Sequence, residues 1–310
     1  MIDFKTYDEQ IEILKNRGLV FENVEKAKHL LKVNNYYNVI NGYKDKFILD
    51  NGTKYERFNK GVTFEEIFIL YTFDKNLKHL LLKYILKIEN MFKSIMAYVF
   101  AKNHKDGDYL NKNNFNNNLD KSIKFNVDSV INKLGDVIQE QKNKKNKMVC
   151  HYLDKYSFLP IWVLVNILTL GEISKLFTIF TTQDKIEVCK TLSELYNRTL
   201  FEKDIKTFMA TLSWVRNICA HDQRLYDFST GININTNNET IKKLGLTKSP
   251  KGIFAVLIVM NNLLEKSDFQ ELCFEFINIL KDLSNIKSIN VECIKKKMEL
   301  PQDWDRIISI

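Results

Sequence analysis

The sequence is poor in the residues that interrupt helices. Its 310 residues include only 3 Pro and 10 Gly, which argues against a β-sandwich, a β-barrel or a collagen-like chain and leaves room for long helices. Three prolines are also too few for a proline-rich linker. The 45% of hydrophobic and 27% of charged residues are ordinary for a globular protein. We therefore expect an all-α, mostly helical fold.

Cysteines, long apolar runs and familiar catalytic motifs are also scarce. The five cysteines form no C-x-x-C pair and no zinc-finger spacing with histidine. The longest apolar run, 253–260, is far shorter than the ~18 residues that span a bilayer, and the N-terminus has no signal-peptide pattern. Dinucleotide, P-loop, zinc-protease and nucleophile-elbow motifs are absent. We expect a cytoplasmic protein that contacts no membrane and binds no metal or cofactor.

The charge of the chain is basic and comes almost entirely from lysine. The 46 Lys+Arg residues exceed the 38 Asp+Glu residues, for a net charge of +8, and only six of the 46 are arginines. Lysine is a solvated point charge, whereas the planar guanidinium of arginine suits phosphate and carboxylate recognition. This balance is compatible with an anionic partner such as nucleic acid, and equally with bulk surface charge.

Three regions are predicted along the chain. They are an N-terminal helical region at 1–61, a helical core at 62–230 that carries a basic Asn/Lys-rich insertion at 102–156, and a C-terminal helical region at 231–310. Turn signals at 50–61 predict a short hairpin or a loop. The insertion is expected to be an exposed segment or a loose helical hairpin.

The most regular element is a long helix at the start of the core. Thr63 begins a capping box that Glu66 closes. Apolar residues then recur at spacings of three or four as far as Val99. The pattern predicts one long or bent helix of nearly 40 residues that crosses the whole domain.

Prolines and glycines predict the limits of two later helices. Pro160 suits the first turn of a helix that would end at Gly171. Ser249 and Pro250 are typical of the N-cap and first position of a helix, here one that would run through Leu264.

Several polar features carry both a structural and a functional interpretation. The basic cluster Lys142, Lys144, Lys145 and Lys147 is either a solvated face or an arm that contacts phosphates. In the long helix, Glu89 and Lys93 are four residues apart, which is typical of a surface ion pair or of a functional site. The aromatic and amide-rich segment 34–43 either packs a helix corner or stacks bases.

One segment stands out as a candidate for chemistry. Arg216 and His221 are separated by four residues near the end of an amphipathic helix, which places Asn217 and His221 on one face with Arg216 alongside. A guanidinium can hold a phosphoryl oxygen and stabilise its developing charge. An imidazole can move a proton near neutral pH. The alternative is a structural helix end, with His221 capping carbonyls and Arg216 paired with an acid.

The sequence around this segment resembles a known family. Arg-Asn-Ile-Cys-Ala-His at 216–221, followed by Arg224-Leu225-Tyr226, resembles the R-N-x-x-A-H signature of HEPN-fold proteins, and within them the Abi-like (abortive infection) family of bacterial phage-defence proteins. Three further stretches are similar to segments of that family and follow the same order, namely Tyr36-Tyr37 with Asn41-Gly42-Tyr43, Leu159-Pro160-Ile161-Trp162 through Gly171, and Leu300-Pro301-Gln302-Asp303-Trp304. Lys93 stands where an arginine is expected in the family pattern.

The resemblance implies a HEPN-type helical bundle and a metal-independent endoribonuclease that acts as a toxin in phage defence. In that chemistry the ribose 2′-hydroxyl attacks the adjacent phosphate and leaves a 2′,3′-cyclic phosphate. The resemblance assigns His221 as general acid or base, Arg216 as phosphate stabiliser and Asn217 as an orienting group. Arg224 is a candidate for contact with the RNA backbone, and Lys93 for a supporting role in RNA binding.

The expected partners are RNA and a second copy of the chain. Because each chain carries one R-x4-H motif, we expect a homodimer with a composite cleft. The resemblance also implies a small noncoding RNA as antitoxin or guide-like partner. The alternative function is an RNA-binding HEPN scaffold that assembles with such an RNA and has little or no nuclease activity.

Overall fold

The protein folds into packed helices, which confirms the all-α expectation. The computed structural model describes residues 3–49, 56–104, 108–116 and 121–310. β pairing among these residues is limited to two single bridges, Val20 with Thr63 and Ile48 with Phe58. The helices are α1 (Tyr7–Asn16), α2 (Val24–Asn34), α3 (Phe64–Asn103), α4 (Lys121–Asn143), α5 (Lys147–Tyr156), α6 (Ile161–Leu164), α7 (Leu170–Ile179), α8 (Thr182–Tyr196), α9 (Glu202–Ala220), α10 (Glu239–Lys243), α11 (Ile253–Leu263), α12 (Lys266–Asp282) and α13 (Glu292–Lys297).

The long helix α3 organises the fold. Its N-terminus is the predicted capping box, in which Thr63 Oγ1 accepts from Glu66 N and the Glu66 carboxylate accepts from Thr63 N. The helix runs for 40 residues, about 60 Å at 1.5 Å per residue. Helices α6, α8, α9 and α12 pack around it, so it is apolar on several sides rather than along one stripe. The prediction of one long helix is confirmed.

The prediction that a helix ends at Gly171 is wrong, because α7 begins one residue earlier, at Leu170. α6 and a following 3₁₀ turn end at Ile167, and a capping box between Thr169 and Glu172 starts α7. Gly171 lies in the first turn of α7. A β-carbon on it would lie 3.1 Å from Ser213 Oγ of α9, so this glycine permits the close approach of two helices rather than a chain reversal.

The predicted start of α11 at Pro250 is also wrong. The helix begins at Ile253 after Gly252, because Ser249 Oγ accepts from Ile234 N at 2.8 Å instead of capping the next turn. Every residue of α11 is buried, and the helix packs against α8, α9 and α12. One continuous hydrophobic core therefore includes residues from all three predicted regions.

The basic insertion is a packed helical hairpin rather than a loose one. α4 turns its apolar face, Val127, Ile131, Leu134 and Val137, into the core, and it packs against α5 and α7. The hairpin or loop predicted at 50–61 falls in part on residues 50–55, which lie outside the described residues. No helix in the described part of the chain is both long and apolar enough to cross a bilayer.

Candidate functional site

The site begins with the two faces of α9. Its apolar face is buried against α3, α7, α8 and α11. The opposite face exposes Trp214 and Asn217 to solvent. The sequence enforces this division, because the apolar residues of 205–218 recur every three or four positions. The polar residues of the motif therefore lie on the outer side and at the end of a helix whose position the core fixes.

His221 ends the helix. Its backbone N–H donates to Asn217 O at 3.0 Å, which completes the last turn, and its imidazole is exposed. The next residue, Asp222, has a left-handed backbone with φ of 51°, so the chain turns away directly after His221. The structure thus brings Arg216, Asn217 and His221 together within one to two turns, as the spacing predicts.

None of these three side chains has a hydrogen-bond partner within the described residues. Arg216 is half-buried, and its Nε–H is fully covered yet unpaired. The alternative in which Arg216 pairs with an acid is not what the structure shows, since no carboxylate in the described part of the chain forms an ion pair with it. The amide of Asn217 and the imidazole of His221 are therefore available to a ligand, and the half-buried guanidinium of Arg216 lies beside them with no protein acceptor in the described part of the chain.

The loop after His221 is fixed by a buried carboxylate on α3. Asp74 is fully buried and accepts from Leu225 N at 3.1 Å, from Tyr226 N at 2.6 Å and from Tyr43 Oη at 2.7 Å. Lys78, one turn further along α3, lies 3.6 Å from Asp74 and donates to the Asp222 carboxylate. Asp222, at the start of the loop, and Leu225 and Tyr226, further along it, are therefore all bonded to the long helix.

Burial and hydrogen bonding have opposite effects on the pKa of the Asp74 carboxyl in this network. Burial raises the pKa of Asp74 above its ordinary value, while the Tyr43 hydroxyl, Lys78 and two backbone amides act to lower it. Burial and the Asp74 carboxylate raise the pKa of Tyr43, so its hydroxyl remains a donor. The network holds the end of α9 against α3 with every one of its charged groups paired.

Arg224 lies in the same loop, but its donors are already engaged. Its guanidinium donates to Gly42 O at 2.8 Å and to Asp45 at 2.9 Å, and it forms a two-point pair with Asp227 at 3.0 and 2.7 Å. Burial acts to lower the pKa of Arg224, but the carboxylates of Asp45 and Asp227 raise that pKa above its ordinary value. In this structure Arg224 connects the loop to the N-terminal region; its predicted contact with RNA stays a prediction.

Lys93 lies away from the motif. It pairs with Glu89 at 2.7 Å. Fifteen residues of α3 separate it from Lys78, the residue that contacts the end of α9, and this corresponds to about 22 Å along the helix. Lys93 instead lines a groove between α3 and α6.

The basic cluster forms the turn between α4 and α5, where all four lysines are exposed. Lys144 pairs with Glu140 at 2.6 Å. The other three lysines, Lys142, Lys145 and Lys147, have no ion-pair partner within the described residues. Three uncompensated ammonium groups on one short turn form a local positive surface.

Helix directions decide on which end of the bundle this turn lies. At the start of α9, Glu202 pairs at 3.1 Å with Lys185 in the first turn of α8, and α8 directly follows the C-terminal end of α7. α9 reaches the N-terminal end of α7 at Ser213, which faces Gly171. α9 is therefore antiparallel to α7 and carries its motif past the N-terminus of α7.

α4 runs in the same sense as α9. Its residue Asp128 pairs at 2.7 Å with Lys112, in the segment 108–116 that hydrogen-bonds the last carbonyl of α7. Lys133, further along, approaches Glu172 in the first turn of α7 at 4.0 Å. The basic turn therefore lies at the same end of the bundle as the motif. Because α4 and α9 both pack against α7, the sideways distance between turn and motif is at most two helix spacings, about 16–20 Å.

Two contributors to this site escaped the sequence interpretation. Asp74 and Lys78 are four residues apart within the apolar register of α3. A carboxylate and an ammonium at core positions are rarely fully buried unless they are paired. This rule could have indicated from the sequence that Asp74 and Lys78 form a buried pair. The described residues contain no group of three or more His, Cys, Asp and Glu side chains placed to hold a metal ion.

Comparison with known proteins gives one match. A family model described as Abi-like protein matches residues 29–227, almost two thirds of the chain. The match extends from α2 to the loop that follows the motif helix, so it includes the Arg216–His221 segment and the Asp74 network. No curated protein and no solved structure matches the chain.

Proposed function

Because the chain belongs to the Abi-like protein family, which implies a role in abortive infection, we propose that it is a metal-independent endoribonuclease of the HEPN type. It acts as a toxin in phage defence, either in abortive infection or in a toxin–antitoxin pair. The proposal rests on the family together with the R-x4-H segment at the end of α9.

The chemistry is an attack by the ribose 2′-oxygen on the adjacent phosphorus. His221 of one chain takes the proton of the 2′-hydroxyl as general base, or gives a proton to the leaving 5′-oxygen as general acid. Arg216 donates to the non-bridging phosphate oxygens, whose negative charge increases in the transition state. Asn217 orients the phosphate. The products are a 2′,3′-cyclic phosphate and a 5′-hydroxyl, and neither water nor a metal ion enters this step.

The observation that supports the proposal is the contrast between the motif and its surroundings. Asp74, Lys78, Asp222 and Arg224 all have partners within the chain. The side chains of Arg216, Asn217 and His221 have none among the residues that the structure describes. A guanidinium, an amide and an imidazole left without protein partners at one helix end are what a site for an anionic ligand requires.

A homodimer completes the proposed site. The R-x4-H motif of a single chain offers one imidazole, whereas cleavage by 2′-oxygen attack uses both a base and an acid. The exposed outer face of α9 leaves room for a second copy to place its own His221 nearby. We therefore propose that two α9 ends form one composite cleft.

The test is cleavage of end-labelled mixed-sequence RNA in EDTA, with the protein first stripped of bound nucleic acid. The parent is compared with Arg216→Ala and His221→Ala. His29→Ala and Arg306→Ala are matched controls, since both residues are exposed and lie outside the site. We expect cyclic-phosphate products from the parent and both controls, and none from the two motif variants. Equal cleavage by His221→Ala refutes the mechanism.

A second function is favoured by the three uncompensated lysines of the α4–α5 turn. In it, the chain is an RNA-binding scaffold that assembles with a small noncoding RNA and cuts little or nothing. RNA that stays tightly bound without cleavage, together with growth inhibition unchanged by His221→Ala, supports this scaffold over the nuclease.

A further inference from the structure

A groove between α3 and α6 has no part in the proposed cleavage site. It has a volume of about 890 Å³ and is lined on the α3 side by Asn90, Lys93, Tyr98 and Lys102, and on the other side by Trp162 and Asn166. Small-molecule and cofactor sites are typically about 300–1,000 Å³. The groove is therefore large enough to hold a ligand and is not a packing defect.

Two aromatic rings are exposed in this groove, one from each wall. Tyr98 is 67% exposed and Trp162 is 55% exposed. Between them the floor of α3 is built of small residues, including Ala97 and Ala101. Small side chains leave the floor shallow, so a planar ring can lie against Tyr98 or Trp162 without displacing protein atoms.

The polar lining of the groove is cationic or neutral. Among the described residues that line it there is no carboxylate, but there are two lysines and two amides. Glu89 holds the Lys93 ammonium at 2.7 Å, and Glu187 holds Lys102 at 2.5 Å, both from outside the groove. Asn166 donates to Trp162 O at 2.8 Å, which fixes its amide, and Asn90 has no side-chain partner within the described residues.

We infer that this groove binds unpaired RNA, with about two bases stacked on Tyr98 and Trp162. Lys102, whose side chain is half exposed, lies where a phosphate of the strand shares its ammonium with Glu187. Lys93, paired with the buried Glu89, and the amides of Asn90 and Asn166 line the groove beside the bases. Flat aromatic faces combined with amides and cations are the features that single-stranded RNA sites share. The inference rests on the proposed function only in taking RNA as the ligand.

The groove is a binding site separate from the cleavage site. Lys93 lies about 22 Å along α3 from the contact of Lys78 with the end of α9, and Tyr98 lies about 30 Å from it. RNA held in the groove therefore reaches His221 only when the strand is long. This separation lets the two proposals fail independently.

The test uses a short 2′-O-methyl oligouridylate, whose blocked 2′-oxygen cannot attack phosphorus, so binding is measured without cleavage. Fluorescence anisotropy compares the parent with Tyr98→Ala and Trp162→Ala. Phe201→Ala and Phe274→Ala are matched controls, because Phe201 is 60% and Phe274 65% exposed outside the groove. We expect each groove variant to bind about tenfold more weakly. The controls should match the parent, and Tyr98→Phe and Trp162→Phe should retain most of the affinity.

Cleavage kinetics provide a second measurement. For a long RNA, Trp162→Ala should raise KM and leave kcat unchanged. For a dinucleotide substrate, which is too short to reach the groove, the variant should change neither KM nor kcat. Affinity that Tyr98→Ala and Trp162→Ala leave unchanged overturns the inference. So does a loss of self-association, seen by sedimentation, without a loss of RNA binding, because the groove would then be an interface between protein copies. A chain that binds the oligonucleotide but never cleaves RNA refutes the nuclease proposal alone.

Discussion

Tyr43 Oη donates a 2.7 Å hydrogen bond to the fully buried carboxylate of Asp74. Asp74 also accepts from the backbone amides of Leu225 and Tyr226. One carboxylate thus joins the N-terminal region, the long helix α3 and the loop that follows His221. The sequence segments that resemble the Abi-like family at 41–43 and 224–226 meet at this carboxylate in the folded chain.

Replacing Asp74 should cost more stability than any surface charge. Asp74→Ala leaves two amides and a tyrosine hydroxyl without an acceptor and leaves the buried Lys78 with only the Asp222 carboxylate, so we expect the free energy of unfolding to fall by about 3 kcal/mol. Tyr43→Phe removes a single hydrogen bond and should cost about 1 kcal/mol. Urea denaturation followed by circular dichroism measures both losses.

The matched control for this comparison is Asp303→Ala. Asp303 pairs with Arg306 on the surface, and exposed pairs of this kind contribute little, so its urea midpoint should equal that of the parent. If Asp74→Ala unfolds at the parent's midpoint too, the network does not hold the loop in place.

Arg224 should act through structure rather than through RNA. Lysine cannot reproduce the fork that reaches Gly42 O, Asp45 and Asp227, so Arg224→Lys should lower stability by about 2 kcal/mol. Arg306→Lys, at an exposed pair, should have no measurable effect. A backbone-contact role predicts the opposite pattern: unchanged stability, weaker RNA binding and a smaller dependence of that binding on salt.

The elements that the sequence predicts well are those whose pattern is local. The capping box at Thr63 and the three-and-four spacing up to Val99 define α3 because each feature involves residues within a few positions of each other. The same holds for the motif at the end of α9, where one helical turn brings Asn217 and His221 together. A short-range pattern contains enough information to predict such elements.

The features that escape prediction depend on distant contacts. Gly171 is typical of a helix end, yet it lies in the first turn of α7. It allows α7 to pack closely against Ser213, which is more than forty residues away in the sequence. Asp74 has no value as a local signal until Tyr43 and the loop after His221 are known to surround it. The packing of α4 on α7 likewise follows from the tertiary fold, whereas composition alone favoured a loose insertion.

Cys219 should be protected from alkylation although it lies within the motif. Burial raises the pKa of Cys219 to about 12, so at pH 8 only about one thiol in ten thousand is the reactive thiolate. Iodoacetamide at pH 8 should therefore modify the exposed Cys293 well before Cys219, as read by mass spectrometry of peptides. Each unit of pH below 12 should change the rate at Cys219 about tenfold. Equal rates at the two cysteines in the folded protein contradict the packing of α9 described here.

The basic turn should supply salt-dependent affinity for RNA. Lys142, Lys145 and Lys147 form no ion pair with any residue that the structure describes. They lie at the same end of the bundle as the motif, so their ammonium groups can neutralise phosphates of a strand bound there. Replacing all three by glutamine should lower affinity and reduce the slope of log K against log salt by about 2, at roughly 0.7 per phosphate of a single strand.

Lys295, Lys296 and Lys297 offer a control of equal charge, because they form a second cluster in α13. Their replacement by glutamine changes the net charge of the chain by the same amount. If affinity reflects only net charge, both triple variants lose it equally and with the same change of slope. If the position of the α4–α5 turn matters, only the variant of that turn loses affinity, because phosphates are neutralised where the strand lies. Titration of a 2′-O-methyl RNA at several salt concentrations separates these two results.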